Sequence, residues 1–288
     1  MARSFSERCA KAPVNKIIPF SSVDGPGNRT AVFLQGCNFD CRYCHNPETR
    51  RLCIACGDCV DRCPAKALRL QAGEVLFDPA KCCGCDTCIR TCTYDSSPRI
   101  RWMDAQETFA EVKKQMPYIR GVTVSGGECT LYPQFLKELF ALCHDAGLST
   151  LIDSNGTLDF RAHPELLAQT DGVMLDIKAW SREDHERVTG SDNELVLRNA
   201  VYLAERGQLT EVRTVIVPEL FDTAGTVEET AKLLAPYRTR GEIRYKLITY
   251  RPMGVREQYA HSRVPQNEEM EKLRAIAITQ GLKDVVIV

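Results

Sequence analysis

The sequence contains no run of about 18 consecutive apolar residues, so nothing in it reads as a membrane-spanning helix. It carries no surplus of charge either. Its 37 Lys and Arg face 38 Asp and Glu, a formal net charge of −1, which excludes the basic footprint of a dedicated nucleic-acid binder. The N-terminus, Met1-Ala2-Arg3-Ser4-Phe5-Ser6-Glu7-Arg8, lacks the apolar stretch of a secretory signal. A cytoplasmic location is therefore expected, with neither membrane nor nucleic acid as a partner. With 44% hydrophobic residues, disorder is excluded as a description of the whole. At 288 residues the chain predicts about two domains of ~150 residues, or one barrel-sized domain with an insertion.

Cysteine is what the sequence has in excess. There are 15, and 12 of them lie between Cys37 and Cys92. In a reducing compartment such clustering more often marks bound metal than disulfides. Cys9, Cys129 and Cys143 are scattered and need no common explanation.

Composition divides the chain into three zones. Residues 1–52 carry the turn Asp24-Gly25-Pro26-Gly27 and an apolar strand candidate at 30–34. Residues 53–99 are poor in long hydrophobic runs and dense in Cys, which reads as an inserted domain. From 100 to 288, strand candidates at 121–124, 149–152, 172–175, 211–217, 243–247 and 284–287 alternate with helix candidates at 136–146, 165–168, 193–206, 227–234 and 268–279. Repeated βα units predict an α/β fold with a parallel sheet, close in size to a TIM barrel but incomplete. In such folds chemistry gathers at the C-terminal strand ends. The polar motifs sit there: Cys37 after the first strand, Ser125-Gly126-Gly127-Glu128 after the next, then Asp153-Ser154-Asn155-Gly156, then Asp176 and Lys178.

Three cysteine constellations stand out. Cys37-x3-Cys41-x2-Cys44 puts three thiolates on one loop, enough for three irons of a cubane, with the fourth iron left open to bind a substrate or cofactor. A three-Cys zinc site completed by His45 is the bland alternative, awkward because His45 directly follows Cys44. Cys53-x2-Cys56-x2-Cys59-x3-Cys63-Pro64 is the bacterial ferredoxin run, and Cys82-x2-Cys85-x2-Cys88-x3-Cys92 repeats its spacing. The expected pairing is crossed: Cys53, Cys56, Cys59 and Cys92 around one [4Fe–4S] cluster, Cys82, Cys85, Cys88 and Cys63 around the other. Zinc-ribbon ligation is the alternative there. Cys83 is left over, and a small buried filler is expected.

Cys37-x3-Cys41-x2-Cys44, with Tyr43 before the last Cys, resembles the radical S-adenosylmethionine (SAM) superfamily. The stretch from Asp24-Gly25-Pro26-Gly27-Asn28-Arg29 to Gln35-Gly36-Cys37, continued by Cys44-His45-Asn46-Pro47, resembles the glycyl radical enzyme activating enzymes, and among these the YjjW type with a two-cluster ferredoxin-like insert. The resemblance covers nearly the whole chain. It implies a partial (β/α) TIM-like radical SAM barrel holding an inserted ferredoxin-like 2[4Fe–4S] domain. The cofactors implied are three [4Fe–4S] clusters, SAM and a monovalent cation. The partners implied are a glycyl radical enzyme, whose glycine Cα gives up a hydrogen, and a flavodoxin or ferredoxin as electron donor.

By the same resemblance, Ser125, Gly126, Gly127 and Glu128 receive the SAM amino group, with glycines there so that the backbone approaches the ligand closely. Lys178 meets the SAM carboxylate, and Arg213 positions the sulfonium cofactor. Tyr43 stands with the cofactor-binding residues. Asp153 and Asp176, with Ser154 and the Met174 carbonyl, hold the cation through oxygen donors. Where relatives show a His that contacts SAM, this chain has Arg251, a fork of donors in place of an imidazole. Asp24 lies in the turn that meets the substrate peptide in relatives, and is also an ordinary turn-former. Three readings follow: an activase, a radical SAM enzyme acting on another peptide or a small molecule, and a non-catalytic iron–sulfur electron carrier.

Overall fold

The computed structural model describes residues 10–288. They form two compact units, residues 10–38 with 48–150, and residues 39–47 with 151–288. Cys9 lies outside the described residues.

The first unit contains β1 (Lys11–Ser21), β2 (Arg29–Leu34), β3 (Leu68–Gln71), β4 (Glu74–Phe77), α1 (Thr87–Thr91), β5 (Arg101–Asp104), α2 (Ala105–Lys113), β6 (Gly121–Gly126) and α3 (Pro133–Asp145). β2 and β6 pair in parallel, and β1 runs antiparallel to both β2 and β5. β2 and β6 are buried along almost their whole length, which is why they read as unbroken apolar runs. α2 starts at a capping box made by Asp104 and Glu107, and α3 at Pro133, whose missing N–H costs nothing in a first turn. β3 and β4 form a hairpin whose two loop residues, Ala72 and Gly73, both have positive φ (50° and 79°), as the twist of such a turn requires. The cysteine-rich residues 53–99 lie within this unit. Their apolar cluster consists of buried Cys59, Leu68 and Cys88, with Val60, Cys63, Val75, Phe77 and Ile89 packed around it.

The second unit takes up the chain within β7 (Ser149–Ser154) and continues through α4 (Pro164–Leu167), β8 (Gly172–Asp176), α5 (Arg182–Thr189), α6 (Glu194–Glu205), β9 (Leu209–Ile216), α7 (Thr223–Leu234), β10 (Arg244–Thr249), α8 (Asn267–Thr279) and β11 (Asp284–Ile287). Its strands pair in sequence order, all parallel. Helices between the strands turn apolar faces inward: Val196, Ala200 and Leu203 from α6, Val227, Ala231 and Leu234 from α7.

All seven expected strands are present, each within two residues of its expected ends. β1, β5, the β3–β4 hairpin, α1, α2 and α5 were not expected. β1 hides because it carries Pro13 and Pro19 and two breaks in register, so no alternation survives in its sequence. α5 buries only His185, Val188 and Thr189 of its eight residues, too few for a visible apolar stripe.

Candidate functional site

In the first unit, β2 runs out at Leu34 into Gln35-Gly36-Cys37. The Cys37 N–H donates to the Arg50 carbonyl at 2.8 Å, and the Gly36 N–H donates to Thr49 at 2.8 Å. Gln35 is fully buried and ties this turn together: its amide nitrogen donates to the Glu48 and Arg51 carbonyls, both at 2.7 Å, and its amide oxygen accepts from Asn15. The end of β6 lies directly against it, with the Gly127 N–H on Leu34 O (2.9 Å) and the Glu128 N–H on Gly36 O (2.7 Å).

This contact explains the two glycines. A Cβ on Gly126 would collide with the Leu34 backbone, and one on Gly127 with the Gly36 and Thr49 carbonyls. Gly126 also has φ +126°, open to glycine alone. The space is taken by protein backbone, a different reason from the ligand approach expected of the sequence. Ser125 is buried. Glu128 is 1% exposed, and its Oε1 accepts the Thr130 N–H (3.0 Å) and hydroxyl (2.5 Å), closing the turn after β6.

The Asp24-Gly25-Pro26-Gly27-Asn28-Arg29 lead-in is largely spent on structure. Arg29 is 2% exposed, and its guanidinium donates to Thr123 Oγ1, Val122 O, Ser149 Oγ and Ser149 O at 2.8–3.0 Å. A buried cation requires that many acceptors. Asp24 accepts from Ser21 through its carboxylate and from Thr123 through its carbonyl.

The eight ferredoxin-type cysteines line two separate recesses. Cys63, Cys82, Cys85 and Cys88 line one, and Cys53, Cys56, Cys59 and Cys92 line the other. Among the described residues no group of three His, Cys, Asp or Glu is gathered for a single metal ion. The two runs share a backbone course. Ala55 and Gly84, at equivalent positions, both have positive φ (57° and 69°), and each donates its N–H to the sulfur two residues back (3.4 and 3.5 Å). Gly57 and Asp86, also equivalent, follow at 89° and 56°. Ala67 donates to Cys63 Sγ at 3.3 Å. Cys83 is exposed, which corrects the expected buried filler: the 82–86 loop turns through Gly84 and Asp86, and Cys83 lines the recess of Cys82 while staying open to solvent. Cys129 and Cys143 are the buried fillers, and burial pushes the Cys143 thiol up to about 12.

The second unit carries Cys41 and Cys44 on its 39–47 loop. Three anchors hold that loop, and none was legible in the sequence. The Asp40 and Arg42 N–H groups donate to the Thr189 and Val188 carbonyls at the end of α5 (2.8 and 2.9 Å). Arg256 donates to Asp40 Oδ1 (2.5 Å) and to the Cys41 carbonyl (3.0 Å) while lying over the Tyr259 ring. His45 hydrogen-bonds the Arg251 carbonyl through Nε2 at 2.9 Å and stacks on Tyr250. Arg251 therefore meets the loop through its backbone, and its side chain is exposed. Tyr43 is 3% exposed and donates to the Lys178 carbonyl at 3.3 Å; burial holds its hydroxyl protonated far above the usual tyrosine range.

At the ends of β7, β8 and β9 four charges meet. Arg213 bridges Asp153 and Asp176, with Nε 2.9 Å from Asp176 Oδ1, and Lys178 Nζ lies 2.7 Å from Asp176 Oδ2. All four are 12–20% exposed. Burial alone would depress the Lys178 ammonium, but Asp176, Cys41 and Tyr43 outweigh it and hold its pKa well above the ordinary value. Behind them Glu211 pairs with Lys246 at 2.8 Å. Ser154 is buried, and its hydroxyl accepts the Gly156 N–H at 2.9 Å. Because Arg213 bridges both carboxylates and, with Lys178, balances their charge, a cation on Asp153 and Asp176 would require the guanidinium to move off them.

Comparison with known proteins gives these strand-end groups a context. A profile of the Radical SAM superfamily matches residues 31–234. The chain is 34% identical to a pyruvate formate-lyase-activating enzyme of Streptococcus mutans, over 84% of this chain and 78% of the relative. It is 28% identical to an indoleacetate decarboxylase activating enzyme of Tractidigestivibacter scatoligenes, over 96% of this chain and 97% of the relative. The crystal structure of QueE from Escherichia coli shares the fold, with a TM-score of 0.56 at 15% identity, covering 96% of this chain and 94% of that one. With a radical SAM match across most of its length and relatives named as activating enzymes end to end, the chain belongs to the radical SAM superfamily and, within it, to the glycyl radical enzyme activating enzymes.

Proposed function

We propose that the chain installs a glycyl radical on a partner enzyme with three [4Fe–4S] clusters: one on Cys37, Cys41 and Cys44 with an open iron for SAM, and two in residues 53–99. The observation that carries the cluster count is the division of the eight cysteines. Each recess draws three from one run and the fourth from the other, the crossed pairing of a two-cluster ferredoxin. The donor set fits, because N–H groups of Ala55, Gly84 and Ala67 aim at the sulfurs and stabilise thiolate charge. The small apolar cluster around Cys59, Leu68 and Cys88 is the kind of core that metal must supplement. On this reading residues 53–99 are a ferredoxin-like insert in a radical SAM barrel formed by 1–52 and 100–288.

The bound clusters and SAM supply one-electron, hydrogen-abstracting chemistry that no side chain provides. The protein's part is to bind and orient. On this reading Lys178, which the charges around it keep protonated, meets the SAM carboxylate, and Arg213 orients the sulfonium cofactor. On this reading Ser125, Gly126, Gly127 and Glu128, at the end of β6, receive the SAM amino group. Tyr43, buried and protonated, packs beneath the cysteine loop. Asp153, Ser154, Asp176 and the Met174 carbonyl form the oxygen set for a monovalent cation once Arg213 has turned to the cofactor. Arg251 reaches SAM on this reading only if its exposed side chain folds inward. A flavodoxin or ferredoxin is the electron donor.

The test is electron paramagnetic resonance on an anaerobic mixture of the protein, SAM, a reductant and a candidate partner. A glycine-centred doublet on the partner is expected. SAM cleavage without a doublet would move the substrate elsewhere. Full iron content with no cleavage would refute the reading.

A further inference from the structure

The two cysteine recesses have equivalent backbones but different charges around them. The recess of Cys63, Cys82, Cys85 and Cys88 is lined by Arg99, whose guanidinium acts on the Cys82 and Cys88 sulfurs. Arg99 is 22% exposed and held at 2.7 Å from Asp86 Oδ1, while the Asp86 side chain is 53% exposed. Asp86 lines this recess too, so the pair brings to it a guanidinium and a carboxylate, of which the carboxylate is the more exposed and the more screened by water. The charged side chain lining the recess of Cys53, Cys56, Cys59 and Cys92 is Asp58. Asp86 itself takes the left-handed backbone position that glycine occupies in the first run, at Gly57, so the second run accepts a strained residue where the first does not. The main-chain course is common to the two runs, and the side-chain charge is what separates them.

We infer that Arg99, oriented by Asp86, makes the two accessory clusters electrically unequal, raising the reduction potential of the cluster on Cys63, Cys82, Cys85 and Cys88 above that of its partner. The inference rests on the two-cluster reading. Each accessory cluster takes up one electron, from a low-potential one-electron carrier, and the added negative charge is stabilised where a guanidinium lines the recess of the ligating sulfurs. The partner recess has no lining guanidinium to balance its lining carboxylate, Asp58, whereas Arg99 balances Asp86 in the other. The cluster beside Arg99 therefore fills first and serves as the electron store of the pair.

The experiment is a redox titration of the reconstituted protein followed by electron paramagnetic resonance, with Cys63→Ser and Cys92→Ser variants, which retain an oxygen ligand, marking which midpoint belongs to which recess. Two accessory midpoints are expected, the upper one marked by Cys63→Ser. Arg99→Gln should lower that midpoint alone, by about tenfold in its reduction equilibrium or ~59 mV for one electron. Asp86→Asn should raise it, because the guanidinium loses its counter-charge. Opposite shifts from the two members of one ion pair are what mere structural damage would not produce. Movement of neither midpoint, equal movement of both, or movement of the one marked by Cys92→Ser would overturn the inference. If a Cys37→Ala/Cys41→Ala/Cys44→Ala variant retains no iron, the two-cluster reading falls and this inference with it. Retained iron with unmoved midpoints sinks the inference alone.

Discussion

Arg256 offers the sharpest check on how the radical SAM loop is held. Its guanidinium satisfies the Cys41 carbonyl at 3.0 Å, pairs with Asp40 and lies 4.8 Å from the centre of the Tyr259 ring. A hydrogen bond from a charged donor is worth about 1.5–3 kcal/mol. The Asp40 pair adds little, since the Asp40 side chain is 51% exposed and such pairs contribute roughly 0.2–1 kcal/mol. The ring contact adds about 0.5–1 kcal/mol. Taking the low end of each, Arg256→Ala costs the closed loop about 2 kcal/mol, which is roughly 30-fold in the opening equilibrium at 1.4 kcal/mol per tenfold. The Asp40 and Arg42 N–H groups, bonded to Thr189 and Val188, are direct reporters of that opening. Hydrogen exchange of iron-free protein should show these two amides exchanging about 30-fold faster, while amides inside β8 and β9 stay unchanged. In the reconstituted protein, chelator should strip iron from the loop sooner. Arg182→Ala, which removes a pair exposed on both sides (67% and 47%), is the control and should change neither. Unchanged exchange at Asp40 and Arg42 in Arg256→Ala would refute this account of the anchor.

Arg213→Met leaves Asp153 and Asp176 facing each other without their shared counter-charge. Loss of about 3 kcal/mol is expected in urea unfolding, with part recovered by adding Asp153→Asn; strict additivity of the two changes would argue against the bridge. Burial, with Lys178 nearby, holds His185 below the ordinary imidazole value of 6.5 against the pull of the Ser191 carbonyl. The stability it contributes is therefore complete above 6.5 and is lost as pH falls below that value, because the unfolded chain takes up the proton first. Urea midpoints measured across that range should fall on the acid side, and His185→Gln should flatten the slope. Cys63→Ala should remove the iron of one accessory cluster and spare the other; loss of both would break the crossed assignment.

The βα order, the seven strands with regular apolar runs and the eleven candidate cluster cysteines were legible because each is a local pattern: period, run length, spacing. β1 escaped because two prolines and two register breaks erase any period, and it becomes a strand only when β2 and β5 supply partners. The Gly126-Gly127 pair was visible as a motif, yet its cause lies in Leu34 and Gly36, some ninety residues earlier. Arg251 was read from the motif position it fills, and the structure gives that position to its carbonyl, with His45 making the contact.

The sequence by itself determined the fold class, the family and which sulfurs are candidate metal ligands, since ligand spacing within one loop needs no tertiary information. Only the tertiary structure decided what holds those sulfurs and what charges surround them. Arg256, His45, Arg213 and Arg99 look like ordinary charged or polar residues in the chain. Their hydrogen-bond and ion-pair partners lie far away along it, except for Asp86, 13 residues before Arg99, and such bonds act over ångströms in space without regard to sequence distance.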